Sequence, residues 1–359
     1  MKLHLVGGFL GSGKTTAITN ASLLLKGKGI LAGVITNDQG NYLVDSSFAI
    51  ASEIPTGEVT GGCFCCNYND LDEQINILLE KEQPKVIFAE SVGSCTDLVA
   101  TVLRPLVDNN DDEIEHISFS VFVDSQLLLA HLQGNNLGFS DEVSYIFEKQ
   151  IEEAAVLVIN KVELLSADEL ALITKLTNEK FARKKLLFQN SLDLKSVENW
   201  VSAIDDKEVL KNTQVLDVDY NKYGKGEADL AWLDEEVEIL KENAFPVAVK
   251  IIDKVYASLK GQNIRIGHLK FLVNNGEQSQ KISFTTVPKK DWKEELKVFE
   301  GEKISLMLNA RAQTTPENLR DIVVSVLSEV KTDTGAEINE YCVSAFTPGF
   351  PTPTFRYAV

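Results

Sequence analysis

Three groups of residues have the types and spacing that chemistry needs. The first is Gly8-Phe9-Leu10-Gly11-Ser12-Gly13-Lys14-Thr15, which fits G-x-x-x-x-G-K-[ST] between an apolar run and a helical one. Glycines let such a loop wrap until successive N–H groups face a phosphate, and the following helix N-terminus adds its positive dipole end. Lys14 would reach the β- and γ-phosphates, and the Thr15 hydroxyl would ligate Mg²⁺. The expected nucleotide contacts are Gly8, Gly11, Ser12, Gly13, Lys14, Thr15 and Thr16.

The second group is Asn160-Lys161-Val162-Glu163, placed directly after the apolar run Ala155–Ile159. Guanine-specific GTPases have N-K-x-D at such a point, its acid accepting hydrogen bonds from guanine N1 and the exocyclic amine. Glu163 stands where Asp is usual, and its longer carboxylate can accept both bonds if the loop retreats slightly. The third group is Gly61-Gly62-Cys63-Phe64-Cys65-Cys66, three sulfurs within four positions. Thiolates bind soft or borderline ions such as Zn²⁺, Co²⁺ or Cu⁺. On extended backbone Cys63 and Cys65 would face one side, and Cys66 would need a turn to join them. His4, His116, His131 and His268 are all distant in sequence. Three local ligands and an open fourth position suit an ion that is carried and handed on. A redox pair and buried packing cysteines are the other readings of these residues. Cys95 reads as a small residue at a helix N-terminus, with a place near the γ-phosphate as the alternative.

Together these groups resemble the CobW-type P-loop GTPases. Gly8–Thr16 is similar to that family's P-loop, and Glu58 with Gly61–Cys66 is similar to its C-x-C-C metal motif. Glu90-Ser91-Val92-Gly93 resembles its E-x-x-G element, and Asn160–Glu163 its guanine motif. Gly267-His268-Leu269-Lys270 and the strands after it resemble its C-terminal domain more loosely. The resemblance implies a GTPase of the metallochaperone branch, allocating zinc or cobalt or serving cobalamin synthesis and metalloenzyme activation. It implies Lys14, Asp38, Glu90 and Gly93 as the residues of hydrolysis, with Thr15, Asp38 and Glu90 around Mg²⁺ and the Gly93 N–H at the γ-phosphate. Asn37-Asp38-Gln39-Gly40-Asn41 departs from the family's N-[DE]-F-G-E, since Asn41 replaces the second acid. Gly57–Asn69 would act as a switch that GTP orders. Turnover without a partner should be slow, because no arginine stands in these motifs. Two other functions fit the same residues: an ATP-dependent P-loop kinase, and a non-catalytic nucleotide-binding metal sensor.

The elements that must position these groups alternate along the chain. Apolar runs at Leu3–Val6, Ile30–Thr36, Val86–Ala89, Ser118–Val123, Ala155–Ile159 and Leu186–Gln189 read as strands. Helical stretches lie among them at Thr15–Lys26, Leu71–Glu82, Asp97–Leu106, Asp141–Glu153, Ala167–Glu179 and Val197–Ile204. This order predicts an α/β P-loop NTPase domain of the SIMIBI type over residues 1–215, a mainly parallel sheet with helices on both faces. Residues 216–245 read as a connection, with a loop at Tyr220–Gly226 and a helix at Asp229–Lys241. Residues 246–359 read as a smaller α+β domain. Its helices are expected at Val247–Leu259 and Pro316–Val330, and its strands at His268–Val273, Lys281–Thr286, Lys303–Asn309 and Tyr341–Phe346. The Pro-rich end from Thr347 reads as an irregular tail.

Over 359 residues, 35 Lys and Arg against 53 Asp and Glu give a net charge of −18. That balance argues against nucleic acid and anionic membrane surfaces as partners. The expected partners are GTP, a divalent metal ion and a client metalloprotein, with an oligomer compatible. Five cysteines are too few for a disulfide scaffold, and the N-terminus leaves no room for a signal peptide, so a reducing cytoplasmic location is expected.

Overall fold

The computed structural model describes residues 1–40, 44, 53–109, 114–206, 210, 213–287 and 292–358. They divide into two compact units. One comprises Met1–Gln39, Ser52–Gly226 and Phe350–Val359, and the other Glu227–Gly349 together with Gly40 and Val44.

The first unit is built on seven parallel strands in the order β3-β2-β4-β1-β5-β6-β7. These are β1 (Lys2–Gly8), β2 (Ala32–Asn37), β3 (Thr56–Val59), β4 (Val86–Glu90), β5 (His116–Asp124), β6 (Val156–Asn160) and β7 (Lys185–Gln189). The inner strands are near-continuous apolar runs because both faces of the sheet are covered. Trp200 of helix α7 (Leu194–Ile204) packs on Phe88 and Phe122 on one face. On the other, Gly7 lies under Leu98 and Phe119. The burial of His4 on the first face holds its imidazole neutral, its pKa pushed down to about 3, with Nδ1 2.6 Å from Ser118 Oγ.

Helix α1 (Lys14–Gly27) follows β1, α2 (Tyr68–Glu82) follows β3, and a π-helical turn Val99–Leu103 runs into α3 (Arg104–Asp108) after β4. Asp124 caps α4 (Ser125–Leu132), accepting from the Gln126 and Leu127 N–H groups. Helix α5 (Asp141–Glu153) carries Ser140 as its cap, and α6 (Ala167–Lys180) opens on a full Ser166/Glu169 capping box.

The connection expected over 216–245 is not a linker in the structure. Tyr220–Ala228 is helix α8, where a loop was expected, and Ala231–Leu240 is strand β8, where a helix was expected. Ala231, Leu233, Val237 and Ile239 recur at period two and enter one core, which a helix of this sequence would scatter around its axis. The acids between them are matched from distant positions: Asp234 by Arg311 at 2.7 Å and Glu235 by Arg320 at 3.0 Å. The boundary between the units therefore falls at Gly226/Glu227.

Strand β8 lies inside the second unit's antiparallel sheet, ordered β10-β9-β11-β8-β12. Its other strands are β9 (Arg265–Asn274), β10 (Ser279–Thr285), β11 (Lys303–Gln313) and β12 (Glu337–Phe346). Helices α9 (Phe245–Gly261) and α10 (Pro316–Thr334) supply apolar faces to the same core. Thr315 caps α10, its hydroxyl accepting from the Asn318 N–H. No helix among the described residues is long and apolar enough to cross a membrane.

Candidate nucleotide and metal site

The residues singled out by type and spacing gather at the carboxyl ends of the parallel strands. Gly8 ends β1, Asp38 follows β2, the cysteine loop follows β3, Glu90 ends β4 and Asn160 ends β6. Open parallel sheets bind ligands at this edge, where the strand order reverses, and β1 sits between β4 and β5 at such a point.

The phosphate loop is braced from several sides. Gly13 adopts φ 93°, and a Cβ there would stand 2.3 Å from the Asn160 amide nitrogen. That amide donates to the Ser12 carbonyl at 2.8 Å, while its oxygen accepts from the Ser191 hydroxyl at 2.8 Å. Asn160 thus ties the two nucleotide motifs together, and Ser191 is a supporting residue that sequence reasoning missed. Lys14 is only 6% exposed, and Nζ donates to the Gly8 carbonyl at 2.7 Å. The Thr15 hydroxyl donates to Glu90 Oε1 at 2.9 Å, so a hydroxyl and a carboxylate share one buried place. Gly93 lies against the loop itself, where a Cβ would stand 2.6 Å from Leu10 Cδ2 and 3.0 Å from the Leu10 nitrogen. Gly11 and Thr16 are half-buried on the same turn.

Lys161 takes a left-handed conformation, φ 63°, and pairs with Asp124 at 2.8 Å. Glu163 stands exposed on the 3₁₀ turn Val162–Leu164. Asp38 is half-buried, its N–H bonded to the Val59 carbonyl at 3.1 Å. Asn41 lies outside the described residues.

The sulfur loop is a turn rather than extended backbone. The Cys66 and Asn67 N–H groups both donate to the Cys63 carbonyl, at 3.0 and 2.9 Å, and the buried Phe64 ring anchors the turn from inside. This brings Sγ of Cys63 to 2.7 Å from Cys65 and 3.4 Å from Cys66, with Cys65 and Cys66 3.8 Å apart. The three sulfurs lie within 4.8 Å of one another. Around a tetrahedral ion with metal–sulfur bonds of about 2.3 Å, sulfurs sit roughly 3.8 Å apart, a spacing that the two Cys66 separations approach and that Cys63–Cys65 would reach by opening. Its contact with the Cys63 sulfur, then with Cys66 and Cys95, and burial hold the Cys65 thiol well above its ordinary range. Protons must leave for an ion to bind.

Asn37 joins this loop to the nucleotide edge, a role that spacing alone does not reveal. Its amide donates to the Val59 and Gly62 carbonyls at 3.0 and 2.7 Å, and its oxygen accepts from the Phe64 N–H at 2.8 Å. The irregular tail covers the loop from outside. Thr352 N–H lies 3.3 Å from Cys66 Sγ, and Thr354 bonds the Cys65 and Cys66 carbonyls at 2.8 Å each. Arg356 pairs with Asp97 at 2.7 Å and the Phe355 ring meets Tyr68 edge-on. Residues 350–358 therefore belong with the first unit, not with the C-terminal domain expected to end at 359.

Helix α5 contributes two more residues hidden in its apolar stripe. Gln150 donates to the Gly93 and Cys95 carbonyls at 3.0 and 2.8 Å. Glu153 accepts from Thr96 Oγ1 and the Val99 N–H, both at 3.2 Å, and burial pushes its pKa up to about 8. Asp97 reinforces that shift, and Glu153 in turn attracts the Lys184 ammonium. A carboxyl raised in the folded state stabilises fully below its unfolded pKa and loses that contribution as pH climbs to 8. Glu153→Gln should therefore gain stability over the parent between pH 5 and 8, reaching about 2–5 kcal/mol above pH 8. Urea unfolding at pH 5.5 and 8.5 checks the sign, since a gain no larger at pH 8.5 than at pH 5.5 would contradict it.

Fold and site together define a P-loop nucleotide-binding protein that carries a sulfur-rich loop between two of its nucleotide-bearing strands. Residues 2–188, more than half of the chain, match the CobW/HypB/UreG nucleotide-binding domain, and the chain belongs to this family. The zinc chaperone CobW of Sinorhizobium sp is 28% identical over 207 residues, 51% of this chain and 57% of that protein. The zinc chaperone YeiR of Escherichia coli (strain K12) is 30% identical over 168 residues, 45% of this chain and 46% of that protein. The chain thus spans about half the length of the curated relatives it matches. Of the solved structures, HypB from Helicobacter pylori in complex with nickel aligns over 61% of this chain and 92% of its own, at 14% identity and a TM-score of 0.42.

Proposed function

We propose that this protein is a GTP-hydrolysing metallochaperone, which binds a divalent ion through Cys63, Cys65 and Cys66 and delivers it to a client metalloprotein. Zinc is the first candidate, because both curated relatives are zinc chaperones. Cobalt and service to a cobalamin-related pathway remain the second. The observation that carries the reading is the bonding of Asn37: one side chain holds the sulfur loop and immediately precedes Asp38 at the nucleotide edge.

In this mechanism the Gly11–Lys14 backbone and the Lys14 ammonium bind the phosphates. Asn160 keeps the loop in register, and Gly93 offers its N–H toward the γ-phosphate. Glu163 accepts from the guanine edge. Thr15, Asp38 and Glu90 are oxygen donors of the kind Mg²⁺ prefers, and the ion would neutralise charge on the β- and γ-oxygens. Catalysis then rests on positioning and charge, and turnover is slow without a partner.

Phosphate release from GTP and from ATP, with and without zinc, tests the function. Preference for ATP with transfer to a small molecule would return the kinase reading, and bound metal without phosphate release the sensor reading. Glu163→Ala should weaken GTP binding by about 2–4 kcal/mol, roughly 30- to 1000-fold, through loss of two charge-assisted bonds. Fluorescent-nucleotide titration reads this, and equal affinities for parent and variant would reject guanine recognition by Glu163.

A further inference from the structure

A fourth sulfur lies beside the three. Cys95 is fully buried, and its Sγ stands 3.7 Å from that of Cys65. We propose that Cys95 is the fourth ligand of the bound ion, so that the metal is held by two chain segments: the turn after β3 and the stretch leaving β4. The inference rests on the metal reading of Cys63, Cys65 and Cys66 and names the ligand that reading leaves open.

The spacing carries it. The separations Cys63–Cys66, Cys65–Cys66 and Cys65–Cys95 are 3.4, 3.8 and 3.7 Å. Each is within a few tenths of the roughly 3.8 Å that a tetrahedral four-sulfur ion requires. Cys63–Cys65, at 2.7 Å, is the pair that must open, by about 1 Å. Cys95 approaches from the Cys65 side, so closing the tetrahedron moves its sulfur toward Cys63 and Cys66. A packing residue would need only apolar surroundings; this one directs its sulfur at another sulfur.

The position of Cys95 gives the ligand a consequence. It stands two residues after Gly93, and Gln150 clamps both carbonyls. A segment with Gly93 against the phosphate loop at one end and a metal ligand at the other would report nucleotide state to the ion. With Cys95 bound the site is closed by four protein ligands, and with Cys95 withdrawn it has three and an open position. Closed sites retain metal and open ones exchange it, so movement of this segment would set retention against release.

The test is X-ray absorption at the zinc edge on the full chain, loaded anaerobically with one equivalent of zinc under a non-thiol reductant. Four sulfurs at about 2.3 Å are expected in the parent and in Cys342→Ser. Cys95→Ser should show three sulfurs and one oxygen or nitrogen. Three sulfurs and one light atom in the parent would overturn the assignment while leaving the metal reading intact. Four sulfurs retained in Cys95→Ser would overturn it equally, and zinc bound without sulfur would reject both. Should Cys95→Ser fail to fold, the parent and Cys342→Ser spectra alone decide.

Discussion

Lys14→Ala should lower GTP hydrolysis by about 10²–10³-fold or more, the largest single effect expected of any residue in the phosphate loop. The ammonium is the one formal positive charge within the loop, and negative charge develops on the leaving β-phosphate oxygens as the γ-phosphoryl group transfers. Geometry sharpens the expectation. Lys14 is not the exposed loop lysine that its place in the motif suggests; it is buried and bonded to Gly8. Alanine therefore removes a buried charged hydrogen bond as well as the charge proposed to meet the phosphates, at a cost in stability of about 1.5–3 kcal/mol. A chain of this size with two cored units should tolerate that loss. Single-turnover phosphate release alongside thermal unfolding separates the two effects. A variant with a shifted melting temperature but parental hydrolysis would remove Lys14 from the mechanism.

The parallel sheet was legible in the sequence because fully covered strands are short apolar runs, and each run in the first unit became a strand. Strand β3 was not legible, since Thr56–Val59 is four residues long and mixed in character. Strand β8 was misread for a different reason. Asp234, Glu235, Glu236 and Glu238 look like the polar face of a helix until Arg311, Ser305, Arg320 and Tyr341 are brought alongside from later in the chain. Local pattern cannot see a carboxylate whose partner lies more than sixty residues away.

The site divides in the same manner. The nucleotide motifs were readable because each is contiguous, with its spacing set by one loop. The sulfur group was readable only as far as Cys66. Cys95 follows twenty-nine residues later, and β3 and β4 are not even neighbours in the sheet. They converge only because parallel strands bring their carboxyl ends to one edge. Gln150 did leave a trace, an amide in the stripe formed by Val143, Ile146, Phe147 and Ile151. A polar group at such a position has to find partners, and here it found the Gly93 and Cys95 carbonyls.

Metal and nucleotide should strengthen each other's binding by about 5- to 150-fold, a coupling of about 1–3 kcal/mol. Two connections link their sites: Asn37, which holds the sulfur turn beside Asp38, and the stretch from Glu90 through Gly93 to Cys95. If GTP orders these segments, the metal no longer has to supply that ordering, and linkage requires the converse to the same factor. Co²⁺ reports the sulfur site directly through thiolate-to-metal charge-transfer absorption. Titrations with and without a non-hydrolysable GTP analogue should give displaced curves in the parent. In Cys65→Ser the charge-transfer intensity should fall and affinity should drop by more than tenfold, because the most central sulfur, in contact with all three others, is lost. Asn37→Ala keeps every sulfur and removes one of the two connections, so it should bind Co²⁺ with parental intensity but a reduced displacement between the curves. Coincident parental curves would leave the cysteines as a metal site and exclude nucleotide-gated delivery, since a ligand that binds both states equally shifts neither.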